Sequence, residues 1–354
     1  MSNETMRAWR VHEYGQPLDV LRLDTVPVPE PEAGEVRVRV HAIPLNLNDL
    51  ERITGGNMMV RPELPYAPGM ETMGVVEACG AGAESWMGRR VVSTTKMAFG
   101  GFAERAICTT AAMFDMPDDI PLPDAAALYF PYHLAWLGLY DRAELQAGES
   151  VLIHAAAGGA GSAAVQLAVH RGARVFATAG TDEKVQLCRE LGADVAINYN
   201  DADFAEIVLA ETGNRGVDVV FDNVGEAVME RSMACTAYNG RYVMMGFASN
   251  KVVADEKFLV PRRIALGNFK LCGVMLNYSG DDMIGMIKTG MGWNVSPTSL
   301  GARIMADIVE LVRGGAVRPV IGDVVPFEEL PSLMAAMADR RTTGRAIILT
   351  GAVA

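Results

Sequence analysis

The chain has 354 residues, 50% of them hydrophobic, and a formal net charge of −12. That length can bury a large core and normally divides into two domains, while the acidic balance speaks against a nucleic-acid partner, so that an anionic ligand must find its cations locally. The five cysteines, Cys79, Cys108, Cys188, Cys235 and Cys272, lie far apart with no Cys-x-x-Cys, which argues against a metal knuckle or a disulfide framework and fits a reducing cytoplasm.

The opening MSNETMRAWR lacks the apolar run of a secretory signal, and no long stretch reads as a membrane span. Residues 6–125 show alternation at Val36-Arg37-Val38-Arg39-Val40, prolines at Pro27, Pro29 and Pro31, and glycines at Gly74, Gly80, Gly82 and Gly88. Short strands and turns in a mostly β, barrel-like unit follow from that texture. From about 129 to 276 the pattern changes: apolar strands near 151–153, 174–178, 195–197, 217–221, 241–245 and 269–274 alternate with helical stretches, the signature of a doubly wound parallel sheet. Beyond it, 304–313 reads as an amphipathic helix, and 345–349 as a closing strand that returns to the first domain. The expected division is therefore 1–128, 129–276 and 277–354, with the last segment rejoining the first.

The stretch VLIHAAAGGAGSAAVQLA over 151–168 carries most of the functional information. A buried strand, Val151-Leu152-Ile153, runs through Gly158, Gly159, Ala160 and Gly161 into a helix. Residues without side chains let the chain turn sharply and let phosphate oxygens approach the N–H groups of the helix start, where the helix dipole favours negative charge. The fingerprint is partial, Ala156-x-Gly158-x-x-Gly161. At the end of the next strand, where NAD-specific folds carry a carboxylate for the ribose hydroxyls, this chain reads Thr178-Ala179-Gly180-Thr181. Asp182 and Glu183 fit the first turn of the following helix, with Thr181 as its N-cap. With no strand-end carboxylate to repel a 2′-phosphate, NADPH is favoured over NADH.

The chain resembles the zinc-independent medium-chain dehydrogenase/reductases of the quinone oxidoreductase group over nearly its whole length. The residues that carry the resemblance are Leu64-Pro65-Tyr66-Ala67-Pro68-Gly69-Met70-Glu71 with Gly74-Val75-Val76, the glycine turn with Gln166-Leu167-Ala168, Leu191-Gly192-Ala193-Asp194 with Ile197-Asn198-Tyr199, and Asp222-Asn223-Val224-Gly225. The resemblance implies an α/β architecture in which a GroES-like, mostly β catalytic domain holds an inserted Rossmann domain, with nicotinamide and substrate meeting in a cleft between them. It also implies a small-molecule acceptor and a homodimer formed through the edge strand over 269–274.

Departures from the zinc-dependent branch are equally informative. Met70 stands where those relatives have the histidine of Gly-His-Glu, and Leu45-Asn46-Leu47-Asn48-Asp49 occupies the place of their first cysteine ligand. Zinc needs three or four converging N or S donors, and this donor set lacks them; no metal site is expected. Hydride should then pass to an acceptor that is already electrophilic, such as a quinone or an enone.

Carried over position by position, the resemblance sets Lys184, Tyr199 and Arg340 around the 2′-phosphate, with Thr178 as a hydroxyl donor and Asn223 and Gly246 beside the cofactor. The plainer readings are a solvated helix lysine for Lys184 and a packed strand-end aromatic for Tyr199. Asn46 matches the family asparagine facing the nicotinamide ribose and the substrate carbonyl, where an amide N–H could support a developing oxyanion; Asn48, Tyr132, His133 and Leu134 are placed around the substrate. Related enoyl thioester reductases have a tyrosine proton donor where this chain has Met58-Met59. Three readings stay open: an NADPH-dependent quinone reductase, an NADPH-dependent enone reductase, and a non-catalytic NADPH-binding protein.

Overall fold

The computed structural model describes residues 4–56, 61–245 and 261–351. They form two compact units, one of Met1–Tyr129, Asn277–Met305 and Ile321–Ala354, the other of Phe130–Leu276 and Ala306–Val320.

In the first unit the alternating Val36-Arg37-Val38-Arg39-Val40 segment lies in the long strand Glu35–Pro44. The three valines are fully buried, while Arg37 turns to the opposite face and binds Glu77 and Glu30, as period-two patterning requires. This strand pairs antiparallel with Glu71–Cys79 on one side and Arg105–Asp115 on the other. Arg90–Thr95 bridges those two, so the four strands close into a barrel around Val36, Val38, Val40, Val76, Val91, Phe102 and Ala106. The strand bends between Val40 and Ala42, where the register shifts; Gly74 lies opposite, and a Cβ there would sit 2.0 Å from the Arg39 carbonyl oxygen. The C-terminal strand Arg345–Leu349 pairs antiparallel with the far end of Glu35–Pro44, and Ile321–Pro326 adds to it in parallel. Within 277–298 the chain makes a short parallel pair, Tyr278–Ser279 with Ser296–Pro297, around the helix Asp281–Met291.

The second unit is a six-stranded parallel sheet. Its strands are β1 (Ser150–Ile153), β2 (Arg174–Ala179), β3 (Val195–Asn198), β4 (Val217–Asp222), β5 (Thr236–Met244) and β6 (Lys270–Gly273), in spatial order β3-β2-β1-β4-β5-β6. The helices α1 (Gly159–His170), α2 (Asp182–Glu190), α3 (Phe204–Glu211) and α4 (Glu226–Ala234) supply the crossovers. Both faces of the sheet are covered, which is why β1 is buried at every position. Leu152, Phe176, Phe204, Val208, Val220, Met233 and Tyr242 form its core. The strand order reverses between the parallel neighbours β1 and β4, the switch point at which such sheets bind ligands beyond their carboxyl ends.

The division falls between Leu276 and Asn277, but within the expected 277–354 segment residues 306–320 belong to the second unit. Gln166 on α1 holds that segment: its amide nitrogen donates to the Arg318 carbonyl at 2.9 Å and its side-chain oxygen accepts from the Arg318 N–H at 2.7 Å. The helix expected over 304–313 begins earlier, at Thr298. Among the described residues no helix is long and apolar enough to cross a membrane.

Candidate functional site

The glycine turn in the second unit is built by close approach. After β1 the backbone passes through Ala155 at φ +48° and reaches Gly158, the N-cap of α1, which offers no side-chain cap. The N–H groups of Gly159, Ala160 and Gly161 therefore open the helix without a side-chain acceptor, as the first turn of any helix leaves them. A Cβ on Gly161 would lie 2.2 Å from the Ala155 oxygen and 2.7 Å from the Ala156 Cα. Only glycine lets the helix start sit this close to the strand end.

At the carboxyl ends of β2 and β3 a second group assembles. The Tyr199 phenol lies over Gly180, where an added Cβ would be 2.5 Å from its Oη. Asn200 donates from Nδ2 to the Gly180 carbonyl at 2.7 Å. The Thr181 hydroxyl accepts from the Lys184 N–H at 3.3 Å and caps α2. Asp182 is turned to Asn198, accepting from its Nδ2 at 3.0 Å. Tyr199 is 40% exposed and Lys184 half-buried on the first helical turn, so the phenol and the ammonium-bearing chain flank one strand-end turn that has no carboxylate of its own.

Thr178 is not part of that surface. It is 1% exposed, and its hydroxyl is bonded to His154 Nδ1 at 2.9 Å, so its expected role as a phosphate donor is corrected. In a sheet covered on both faces, a strand-end threonine points into a helix layer. Across the switch point, Asp222 accepts from the N–H groups of Val224 and Gly225 at 2.8 and 2.9 Å and from the Tyr242 hydroxyl at 2.5 Å. Burial pushes its carboxyl above the usual range, against those hydrogen bonds. The side-chain oxygen of neighbouring Asn223 is buried and has no hydrogen-bond partner among the described residues, an acceptor that a ligand donor could use. Gly246, Met58 and Met59 lie outside the described residues.

Of the substrate residues expected on the helix Tyr129–Trp136, Tyr132 is buried and its hydroxyl accepts from Gln166 Nε2 at 3.2 Å. His133 is fully buried, and burial pushes its imidazole down to about 3. A neutral, enclosed ring is no proton donor at physiological pH, and neither residue presents a wall to solvent. Leu134 alone of the three keeps partial exposure.

In the first unit, Asn46 precedes the helix Leu47–Thr54 and sits in a buried polar cluster that sequence reasoning missed. Its Oδ1 accepts from Arg345 Nη1 at 2.9 Å, and its Nδ2 donates to Glu71 Oε2 at 3.0 Å and to the Pro44 carbonyl at 3.3 Å. Arg345 also pairs with Glu71 and donates to the Leu45 carbonyl. A guanidinium on one side and a carboxylate on the other fix which amide atom is which. Asn46 is 4% exposed and both its amide hydrogens are engaged, so it presents no donor to a substrate oxygen or a ribose; the expected oxyanion role is corrected. Asp49 accepts from the Asn46 and Met70 N–H groups at 3.0 and 3.1 Å, and burial pushes it up to about 6. Asn48 is exposed, its carbonyl accepting from Arg52. Arg340 is an exposed residue of this unit at φ +58°, just past the helix Leu330–Ala338. The signal for the cluster was a charged residue inside the apolar closing strand, Arg345, and a glutamate following Met70. Among the described residues no group of three or more His, Cys, Asp or Glu could hold a metal.

A barrel with a returning C-terminal strand and a β3-β2-β1-β4-β5-β6 dinucleotide sheet together define the medium-chain dehydrogenase/reductase class. A family model for the alcohol dehydrogenase GroES-like domain matches residues 32–118, and one described as zinc-binding dehydrogenase matches 159–291. Quinone oxidoreductase of Sus scrofa is 30% identical over 346 residues, covering 97% of this chain and 98% of that protein; the human quinone oxidoreductase is 32% identical over 243 residues, 68% of this chain and 73% of that one. Among solved structures, Escherichia coli quinone oxidoreductase complexed with NADPH has a TM-score of 0.84 at 25% identity, covering 97% of this chain and 100% of that one. A mycobacterial protein complexed with NADPH reaches 0.82 at 28% identity, covering 98% and 100%. The chain belongs to the quinone oxidoreductase family and is an oxidoreductase.

Proposed function

We propose that the protein is an NADPH-dependent oxidoreductase that delivers hydride to a quinone-type acceptor without zinc. The observation that carries the cofactor reading is the strand-end turn in which Tyr199 lies over Gly180 beside Lys184, with no carboxylate where a 2′-phosphate would sit. The residues fit the group: glycine at 161 brings the start of α1 against the end of β1, where a Cβ would lie 2.2 Å from the Ala155 oxygen, and among the described residues the buried Asn223 oxygen has no hydrogen-bond partner. The N–H groups of Gly159, Ala160 and Gly161 would hold the pyrophosphate at the positive end of α1, and Lys184 and Tyr199 would hold the 2′-phosphate by charge and by hydroxyl hydrogen bonding. Bound NADPH supplies the hydride. Two relatives of the same fold are complexed with NADPH, which supports the same choice here.

The acceptor reading rests on the donor set of the first unit. Met70 and the Leu45–Asp49 segment provide no Cys or His ligand for zinc, and Asn46 is committed to Arg345 and Glu71. A quinone needs no protein acid, because its reduced oxygens take protons from water. We place the protein in the cytoplasm, as a homodimer through β6, which is an edge of its sheet among the described residues; sedimentation velocity tests the dimer.

The experiment is NADPH oxidation by the purified enzyme with a simple quinone and a simple enone, before and after treatment with a chelator, alongside metal analysis. Turnover with the quinone, unchanged by chelation and with no stoichiometric zinc, is expected. Faster turnover with the enone would replace the acceptor; tight NADPH binding with neither substrate turned over would make the protein a non-catalytic binder. One zinc per chain would overturn the zinc-free reading.

A further inference from the structure

A fully buried histidine stands one residue before the glycine turn. His154 is 1% exposed, follows β1, and uses both ring nitrogens: Nδ1 lies 2.9 Å from the Thr178 hydroxyl on β2, and Nε2 lies 2.7 Å from the Ser232 hydroxyl on α4. Ser232 donates its one proton to the Val228 carbonyl at 2.7 Å, so it accepts from the ring. His154 is therefore the neutral Nε2–H tautomer, and Thr178 donates to Nδ1. Thr178 grips the turn twice, since its carbonyl accepts from the Ala156 N–H at 3.0 Å while its hydroxyl holds the ring. The His154 N–H donates to the Phe221 carbonyl of β4 at 3.2 Å. Between these anchors runs Ala155, at φ +48°, whose oxygen accepts from the Gly158 N–H at 3.0 Å and lies where a Cβ on Gly161 would be 2.2 Å away. A hydrophobic ring of the same size would fill this space without any requirement for directed partners, whereas a satisfied buried polar chain admits one arrangement of the elements it joins.

We propose that His154 is a positioning residue of the nucleotide site, and that its bond to Thr178 sets the conformation in which the 155–161 turn receives the pyrophosphate. The proposal rests on the dinucleotide reading but not on the choice of NADPH over NADH, since the pyrophosphate is common to both. His154→Phe keeps the volume and removes both bonds; His154→Asn puts an amide oxygen within reach of Thr178 and loses only the Ser232 arm; Thr178→Val removes the same bond from the other end.

The test measures Kd for NADPH and for NADH by protein fluorescence, with kcat and thermal midpoint, for these variants and for His154→Phe combined with Thr178→Val. Loss of the His154–Thr178 bond, which both variants share, predicts about a tenfold weaker Kd in His154→Phe and Thr178→Val. The loss should be equal for the two nucleotides, with kcat within about twofold; the double variant should be no weaker than the singles, and His154→Asn should keep most of the affinity. Unchanged affinity in folded His154→Phe, a loss that Asn does not relieve, or a loss confined to NADPH would each overturn the proposal. Should His154→Phe fail to fold, Thr178→Val and His154→Asn carry the same comparison. If the wild-type protein binds neither nucleotide, the dinucleotide reading fails. Amide exchange at Gly158–Gly161 then decides the positioning role, which stands only if exchange is faster in Thr178→Val than in wild type.

Discussion

At the scale of single residues, Lys184 separates the cofactor readings. In the proposed function its ammonium would neutralise a phosphate that only NADPH carries, and a hydrogen bond to a charged group is worth about 1.5–3 kcal/mol. Lys184→Ala should therefore weaken NADPH by roughly tenfold to a hundredfold while leaving NADH nearly unchanged, as measured by titration with each nucleotide; equal losses would remove Lys184 from the phosphate. Asn46 shows where a residue read alone misleads. Its motif position is a matter of local sequence, but the group that claims its oxygen, Arg345, lies 299 residues away, and no local pattern reports such a partner. Asn46→Ala should consequently cost stability, about 1–3 kcal/mol for leaving charged neighbours short of a partner, with kcat little altered. Denaturant unfolding beside turnover distinguishes this from a catalytic amide, whose loss would lower kcat on the order of a hundredfold.

At the scale of elements, strands and crossover helices were legible because a parallel sheet covered on both faces reads as apolar runs separated by helical stretches, and the glycine turn because only residues without side chains fit it. What an apolar run does not report is which layer a polar residue within it faces. Thr178 in β2 is such a case: buried beside His154, it is structural where its sequence position pointed to phosphate. The same burial has a pH consequence. Desolvation pushes His133 and His154 down to about 3 from 6.5, with Arg231 adding to the effect at His154. The folded state thus binds fewer protons than the unfolded chain between these values, so the stabilisation is complete above pH 6.5 and is lost as pH falls. At pH 5 each histidine costs about 2 kcal/mol. Asp49, raised by burial to about 6, acts in the opposite sense: it favours folding in acid and loses that contribution as pH rises from about 4 to 6. It offsets about 1.4 kcal/mol at pH 5, less than the two histidines together. The thermal midpoint should therefore drop between pH 7 and 5, and His133→Leu should flatten that drop by about three quarters, since it removes about 2 of the net ~2.6 kcal/mol; an unchanged slope would mean that His133 titrates normally in the fold.

At the scale of the whole molecule, both units present committed polar groups where a proton donor would be sought. His133 and His154 are neutral and enclosed, and Asn46 is held by Arg345 and Glu71. Asp49, whose carboxyl is raised to about 6, already accepts from two backbone N–H groups. Reduction of a quinone is compatible with such a molecule, since the chemical step ends with charge on oxygens that water protonates; reduction of an enone gains from an acid placed near the α-carbon. Single-turnover oxidation of NADPH by a simple quinone should therefore be nearly independent of pH from about 6.5 upward, the acid limit being set by the histidine-linked loss of stability. A rate that instead titrates near pH 6, and loses that titration in Asp49→Asn while NADPH binding persists, would assign proton delivery to the Asp49 cluster and favour an enone as the acceptor.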